Sequence, residues 1–314
     1  MPKEHPDWPE LSYPDWRETY AALHLWTQVV GKVRLAQTPW VNHSWHVTLY
    51  VTPRGLTTSP IPDGARTFEI MFDFGAQQLR VETSDGATRA FALRPQSVAD
   101  FYAQLLAALK ELGISAVITT TPNEIPDAIP FPQDREVRAY RPEQAQNFMR
   151  VLNQVDRLFK QFRSGFLGKV SPVHFFWGSF DHAVTRFSGR RAPPHPGGIP
   201  NLPDAVVREA YSHEVSSAGF WPGGPDVDAV FYSYAYPEPP GYRERKVAPA
   251  AASFHPQLKE FVLPYATVRT ASDPDAMVLE FLQSTYEAAA DTAKWDRAAL
   301  ECCLGVPRVP RPIG

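Results

Sequence analysis

The chain has 314 residues, of which 44% are hydrophobic and 21% are charged, and its formal net charge is -3. This composition is typical of a globular protein and excludes a disordered chain, and the lack of a basic block gives no support for nucleic-acid binding. No apolar run approaches the ~20 residues that cross a bilayer, and the first residues lack the apolar core of a secretory signal. We therefore expect a cytoplasmic protein without membrane contacts, in which the adjacent Cys302 and Cys303 are reduced thiols.

The first 125 residues predict a helix, a meander of antiparallel strands, a second helix and one more strand. Apolar residues spaced by three and four predict the first helix, which begins at a cap on Asp15 and ends near residue 36. Ser97 is expected to cap the second helix and Gly113 to end it. Alternating hydrophobic patterns predict strands at 46–52, 56–59, 68–74, 79–83, 88–93 and 115–121.

A proline-rich segment at 122–142 separates a predicted N-terminal lobe, 1–125, from a C-terminal lobe, 126–306. Residues 307–314 are expected to be a mobile tail. In the C-terminal lobe, long helices are predicted from Pro142 to about Phe166 and from a cap at Asp273 to about Trp295 or Leu304. A short helix is predicted near 203–210 and strands at 171–191, 211–219, 229–236 and 261–270. These elements predict an α+β fold of antiparallel sheets flanked by helices, in two packed lobes, and leave open a pseudo-repeat.

The segment 171–191, SPVHFFWGSFDHAVTRFSGRR, is the stretch most typical of a site because polar side chains alternate with large aromatic ones. Polar groups held among aromatic rings must be hydrogen-bonded, which suits a cleft wall but also suits groups that only tie strands together. Gly178 could introduce a bulge that changes the facing of later residues. As one regular strand, the segment would present His174, His182 and Arg186 on one face and Trp177, Ser179 and Asp181 on the other.

Candidate catalytic residues follow from the titration range of imidazole, which lies near neutral pH: His174, His182 and His213, with Asp181 to orient a histidine. The planar guanidinium suits binding of an anion, which makes ligand-binding candidates of Arg54, Arg186 and Arg190. The other ligand-binding candidates are Trp177, Ser179, Glu214 and Trp221. No histidine cluster has the spacing of a known metal motif, so no metal site is predicted, and Ser179 lacks the glycine pattern of a nucleophile elbow.

Several long strings across the chain, among them NHSWHVTLYVTPRGLTTSPIP, SPVHFFWGSFDHAVTRFSGR, YSHEVSSAGFWPGG and STYEAAADTAKWDR, resemble the bacterial family Domain of Unknown Function 5996. The resemblance covers Trp8 to about Glu301 and implies one full-length unit whose two parts are lobes rather than independent domains. It implies no activity, cofactor or catalytic residue, so the cofactor is unknown and the oligomeric state stays open.

Two functional hypotheses follow, both with a small-molecule ligand. In the first, the protein is an enzyme that acts on a small anionic metabolite in a cleft lined by histidine, aspartate and arginine. In the second, it is a non-catalytic small-molecule-binding or protein-interaction module that uses an aromatic-lined surface. Convergence of the polar residues in one pocket would favour the first, and their dispersal into separate ion pairs would favour the second.

Overall fold

The structure, a computed structural model, describes residues 5–311 and has two six-stranded antiparallel sheets flanked by helices. The α+β prediction is thereby confirmed. The helices are α1 (Tyr13–Gln37), α2 (Val98–Glu111), α3 (Pro142–Arg163), α4 (Asp204–Ala210), α5 (Tyr265–Arg269), α6 (Pro274–Thr292) and α7 (Arg297–Leu300). None of the helices in this range combines the length and the apolar composition needed to cross a membrane.

The N-terminal sheet is a meander built on alternating apolar residues. Its strands are β1 (Tyr50–Thr52), β2 (Gly55–Thr57), β3 (Ile61–Asp63), β4 (Arg66–Asp73), β5 (Gln78–Thr83) and β6 (Thr88–Ala92), in the order β1-β2-β4-β5-β6 with β3 also paired to β4. The long helix α1 packs beside α2, with the rings of Trp26 and Phe101 stacked at 5.0 Å. As predicted, the Ser97 side chain caps α2 by accepting a hydrogen bond from the Asp100 amide at 3.0 Å.

Three N-terminal predictions need correction. Ser12 rather than Asp15 is the cap residue of α1, because the helix begins two residues before Asp15. The first strand begins at Tyr50, since 42–44 form a short 3-10 turn. The segment 115–121 is not a strand, because its backbone lies beside loops instead of a neighbouring strand; the Thr120 carbonyl, for example, accepts from the Phe131 amide at 2.9 Å.

The C-terminal sheet has the order β11-β12-β10-β9-β8-β7. Its strands are β7 (His174–Phe176), β8 (Asp181–Arg191), β9 (His213–Trp221), β10 (Val230–Tyr236), β11 (Ser253–His255) and β12 (Glu260–Pro264). Helices α3 and α6 cover one face of this sheet through their apolar stripes. The other face forms the floor of a cavity described below.

The predicted strand at 171–191 is in fact a hairpin, so the predicted face was wrong for His174, while His182 and Arg186 do lie on the face opposite to that of Asp181. Residues 177–180 form the connecting loop, which closes with Phe180 at φ 60° and a hydrogen bond from its amide to the Phe176 carbonyl at 2.8 Å. In this register His174 lies opposite Ala183, while Phe175 lies opposite His182. His174 and His182 therefore lie on opposite faces of the sheet, because the reversal of the chain shifts the alternation between them.

The predicted strand at 261–270 ends early, and the last helix is shorter than expected. Strand β12 ends at Pro264, which begins α5, and α6 ends at Thr292. Residues 306–309 form a turn closed by the Val309 amide on the Val306 carbonyl at 3.1 Å. Part of the predicted tail, 312–314, lies outside the described residues.

The two lobes share one hydrophobic core. The Leu49 and Phe175 backbones exchange hydrogen bonds of 2.9 Å each, which joins the edges of the two sheets. Trp16 of α1 also packs on Phe148 of α3, with ring centroids 5.0 Å apart. The boundary at 125/126 and the pseudo-repeat stay predictions.

Candidate functional site

A cavity of about 930 Å³ lies on the face of the C-terminal sheet that α3 and α6 leave uncovered. The register explains its floor, because the cross-strand sets Ala183, Gly219, Tyr232 and Thr185, Ser217, Tyr234 point to the same side. A volume in this range is typical of pockets that enclose a small organic ligand. Strand alternation thus builds the floor, because alternate residues in the central parts of β8, β9 and β10 face the cavity.

The cover of the cavity comes from both lobes: the end of α1, the segments 40–47 and 119–124, and the stretch 199–210 that includes α4. Backbone and amide hydrogen bonds hold these pieces together. The Asn123 side chain donates to the Asn201 carbonyl at 2.8 Å, and the Glu124 amide donates to the Pro200 carbonyl at 2.9 Å. Asn201 in turn donates to the Ile125 carbonyl at 2.7 Å. The proline-rich segments therefore form the roof of the cavity.

Four tryptophans line the cavity and give it large apolar surfaces: Trp40, Trp45, Trp177 and Trp221. Trp177 is only 5% exposed, and its indole N–H donates to the Val47 carbonyl at 2.7 Å. Because this hydrogen bond satisfies its one polar atom, the ring can present an apolar face to the cavity.

Asp181, at the start of β8, is the centre of a hydrogen-bonded polar group on the floor. It accepts hydrogen bonds from the hydroxyls of Ser179 and Tyr232. Burial raises the pKa of Asp181 above its usual value despite these bonds. Nearby, the hydroxyls of Tyr211 and Tyr234 lie 2.7 Å apart, and burial raises the pKa of Tyr211 to about 12. These phenols stay protonated at neutral pH and can donate hydrogen bonds.

Two glutamic acids complete the acidic part of the cavity. Burial, followed by the nearby charge of Asp181, raises the pKa of Glu124 to about 7 and that of Glu260 to about 7. In the part of the chain that the structure describes, neither glutamate forms an ion pair with a lysine, arginine or histidine. Both acids can therefore gain or lose a proton near neutral pH.

Two glycines make room for this acidic group. A methyl group on Gly219 would overlap the ring of Tyr232, and one on Gly178 would overlap the carboxyl of Glu124. Glycine at these two positions thus allows Tyr232 to reach Asp181 and Glu124 to lie against the hairpin loop.

Lys32 on α1 is the only lysine or arginine among the described residues that line the cavity. It is 3% exposed, and its ammonium donates to Thr119 Oγ1 at 3.1 Å and to Asn123 Oδ1. The same group lies 5.8 Å from the centre of the Trp177 ring. Burial lowers the pKa of Lys32 to about 8, so it is mostly protonated at neutral pH.

The structure brings four of the predicted site residues to this cavity: Trp177, Ser179, Asp181 and Trp221. It places the three candidate histidines elsewhere. His182 faces α3, stacks on Phe159 and lies 3.3 Å from Asp156 Oδ1. His174 is fully buried, with Tyr50 Oη 3.4 Å from its Nε2, and burial lowers its pKa to about 3.

The remaining predicted residues also lie apart from the cavity. His213 bonds to Ser212 at 3.1 Å, and Glu214 pairs with Arg190 at 2.6 Å. Arg54 pairs with Asp73 at 2.7 Å, and Arg186 is buried against α3 and α6. The histidines and arginines therefore do not converge with Asp181, because β8 sends alternate residues to opposite faces and the others lie on different surfaces.

Sequence reasoning missed Glu124 and Glu260, the two acids with the largest consequence for the site. Glu124 lies in the proline-rich segment that was interpreted as a boundary, and Glu260 precedes the predicted last strand by one residue. One signal was available for Glu260, because it follows the same alternation as Val262, the residue that pairs with Tyr232. Glu124 carried no such signal, since a loop residue has no periodicity.

Residues 5–311 contain no group of three or more histidine, cysteine, aspartate or glutamate side chains arranged to hold a metal ion. The polar lining consists instead of carboxyls, phenols, aliphatic hydroxyls, the amides of Asn123 and Asn201, the imidazole of His43 and one ammonium group. These groups bind organic molecules by hydrogen bonds and charge pairing.

The model of a family described as a family of unknown function, DUF5996, matches residues 8–302 of this chain. The chain belongs to this family. The match includes every residue named above as part of the cavity, so the site lies within the family unit. The comparisons found no match among curated proteins or solved structures.

Proposed function

We propose that this member of the DUF5996 family binds, in the cavity over β8, β9 and β10, a small organic molecule with a protonated amine and an apolar body. The observation that carries the proposal is the charge of the lining: Asp181, Glu124 and Glu260 supply three carboxyls. Among the described residues that line the cavity, Lys32 is the one lysine or arginine, and it forms no ion pair with these carboxyls.

A buried carboxylate without a cation destabilises the folded protein. Burial therefore raises the pKa of both glutamates to about 7. A protonated amine that enters the cavity would restore the missing charge and favour the ionised carboxylates. The tryptophan faces suit the same ligand, since aromatic rings attract organic cations and pack against apolar groups.

This proposal keeps the small-molecule ligand expected from the sequence but changes the sign of its charge. An anionic metabolite would meet three carboxyls in the cavity, and the arginines expected to bind it have other partners. Arg54 and Arg190 pair with Asp73 and Glu214, and Arg186 lies on the other side of the sheet.

Calorimetric titration with three probes of similar shape tests the charge preference: phenethylamine, 2-phenylethanol and 3-phenylpropanoate. We expect the amine to bind at least about tenfold more tightly than the alcohol and the carboxylate to bind weakest, because a charge-assisted hydrogen bond exceeds a neutral one. Glu260→Gln should weaken the amine selectively. Glu280→Gln, on an exposed glutamate of α6, is the matched control. Equal binding of the three probes, or tighter binding of the carboxylate, would overturn the proposal.

A second candidate function is acid–base catalysis on the bound amine. It is favoured by one observation, that two glutamic acids in one cavity have a pKa of about 7, where a group can both donate and accept a proton. Mass spectrometry of amines incubated with the protein tests it. Product formation lost in both Glu124→Gln and Glu260→Gln would support catalysis, whereas unchanged ligands would leave a binding protein.

A further inference from the structure

Lys32 is a buried charge that the amine-binding proposal does not use. Its ammonium lies in the same cavity as the carboxyls and is 3% exposed. Its two protein acceptors, Thr119 and Asn123, are neutral. An ammonium has three protons to donate, so this one can form a further hydrogen bond towards the cavity.

The cavity thus contains unpaired buried groups of both signs. Within the described residues, Lys32 forms no ion pair with Asp181, Glu124 or Glu260, although all four line one cavity. Burial is the one cause that shifts the pKa of Lys32, and the charge of Asp181 is the one electrostatic cause for either glutamate. Because no ion pair joins them among the described residues, the ammonium and the carboxyls do not neutralise one another directly.

We propose that the ligand is zwitterionic, with a carboxylate that binds Lys32 and an ammonium that binds the Asp181–Glu124–Glu260 group, joined by an apolar spacer. This inference rests on the proposed amine-binding function and specifies its substrate class, an amino acid whose two charged groups lie far apart. A single ligand of this kind would pair the ammonium of Lys32 with a carboxylate and would supply one positive charge to the three carboxyls.

The surroundings of Lys32 suit a carboxylate better than a phosphate. One ammonium with a neighbouring amide and hydroxyl matches one negative charge. A phosphate group carries nearly two charges, and would need a second cation among walls that are otherwise acidic. Trp177, 5.8 Å from the ammonium, offers an apolar face for the spacer next to this group.

Affinity measurements on two matched series test the inference: the ω-amino acids from 4-aminobutanoate to 10-aminodecanoate, and the n-alkylamines of the same lengths. For the length that spans the two charged regions, we expect the amino acid to bind at least about tenfold more tightly than the amine, since one charge-assisted hydrogen bond is gained. The chain-length optimum would also measure the separation of the two regions.

Lys32→Met should abolish this gain and leave the alkylamine affinity within about threefold of the wild type. Lys110→Met, which removes an exposed lysine at the end of α2, is the matched control and should keep the gain. If Lys32→Met does not fold, the methyl esters of the same amino acids replace it, because esterification removes the carboxylate charge and should also abolish the gain in wild-type protein.

The outcomes separate the two proposals. Amines that bind while no ω-amino acid of any length binds more tightly would overturn the zwitterion and leave the amine site intact. A gain that survives both Lys32→Met and esterification would also overturn it. Binding of neither series would overturn the amine site and the zwitterion together.

Discussion

The two faces of β8 bury polar side chains in different ways. On the face towards the helices, Arg186 is 1% exposed and enclosed by aromatic rings. Its guanidinium lies 3.6 Å from the centre of the Phe162 ring and donates to the Phe162 carbonyl at 2.6 Å, while its Nε has no hydrogen-bond partner among the described residues. On the cavity face, Asp181 has two hydroxyl donors but lies near Glu124 and Glu260, whose charges no side chain balances.

This difference distinguishes a structural polar group from a candidate functional one. Both kinds are buried in the same strand, so neither burial nor residue type separates them. What separates them is the kind of neighbouring group. Aromatic rings and a backbone carbonyl enclose the guanidinium of Arg186, whereas Asp181 lies near two further carboxyls in a cavity that a ligand can enter. A buried charge that folding leaves unpaired costs stability unless a ligand pairs with it. Two of the histidines predicted as catalytic are only partly satisfied. His182 has Asp156 as a partner at 3.3 Å and His174 has Tyr50 at 3.4 Å, while the Nδ1 atom of each ring has no hydrogen-bond partner among the described residues.

The largest expected effect is on the helix face. Arg186→Ala should lower the free energy of unfolding by about 3–5 kcal/mol, because it removes a large side chain that α3 and α6 enclose. Arg190→Ala, a half-exposed arginine of the same strand paired with Glu214, should cost less than about 1 kcal/mol. Urea denaturation measures both. Similar losses of unfolding free energy in the two variants would contradict the claim that the helices enclose Arg186 but not Arg190.

On the cavity face, Gly219→Ala should disturb both stability and binding. The added methyl group would displace the Tyr232 ring, at a cost of about 1–3 kcal/mol, and would break the hydrogen bond to Asp181. Tyr232→Phe removes that hydrogen bond without the overlap. We expect phenethylamine affinity to fall roughly tenfold in both variants, as for one hydrogen bond to a charged group, with the larger stability loss in Gly219→Ala. Calorimetric titration measures this affinity. Unchanged phenethylamine affinity in both variants would show that Tyr232 does not contribute to the binding site.

The unpaired charge of Glu260 predicts a stability that depends on pH. Its pKa is raised from 4.5 to about 7, so its contribution is fully present below pH 4.5 and is lost as the pH rises through 7. Glu260→Gln cannot ionise and should be more stable than the wild type by roughly 1–3 kcal/mol at pH 8, with little difference at pH 4.

Thermal unfolding at the two pH values measures this effect, with Glu280→Gln as the exposed control. If Glu260→Gln differs from the wild type by the same unfolding free energy at pH 4 and at pH 8, the prediction that ionised Glu260 is unpaired would be wrong. A saturating amine should also reduce the difference at pH 8, because it binds the ionised wild-type cavity.

The smallest effect on stability is expected for Gly178→Ala. The added methyl group meets only the end of the flexible Glu124 side chain, which can move away, so the unfolding free energy should change by less than about 0.5 kcal/mol. Amine affinity should nevertheless fall, since Glu124 leaves its position. Denaturation measures the unfolding free energy of this variant, and calorimetric titration measures its amine affinity. A large loss of stability without a loss of affinity would show that the loop at 177–180 supports the fold and does not position a binding residue.

Much of the fold could be predicted because it depends on local patterns. The alternation in 68–74 predicted β4, the polar turn at 84–87 predicted the β5–β6 hairpin, and Ser97 predicted the start of α2. The prediction went wrong where the local pattern was ambiguous. Residues 171–191 have the composition of one strand. The loop at 177–180 that divides them is closed by Phe180 at φ 60°, a conformation that is uncommon for a residue other than glycine and that no sequence pattern here predicts.

The sequence by itself determined the α+β class and most elements, because these follow from periodicity and composition. It also predicted Trp177, Ser179, Asp181 and Trp221 as site residues, but together with seven others that lie away from the cavity. Only the tertiary structure decided which buried polar groups are satisfied. Asp181 meets Glu124 from a proline-rich loop, Glu260 from a distant strand and Lys32 from the first helix only because the chain folds them around one cavity. Charge balance in such a cavity depends on contacts between residues far apart in sequence, and no local pattern encodes those contacts.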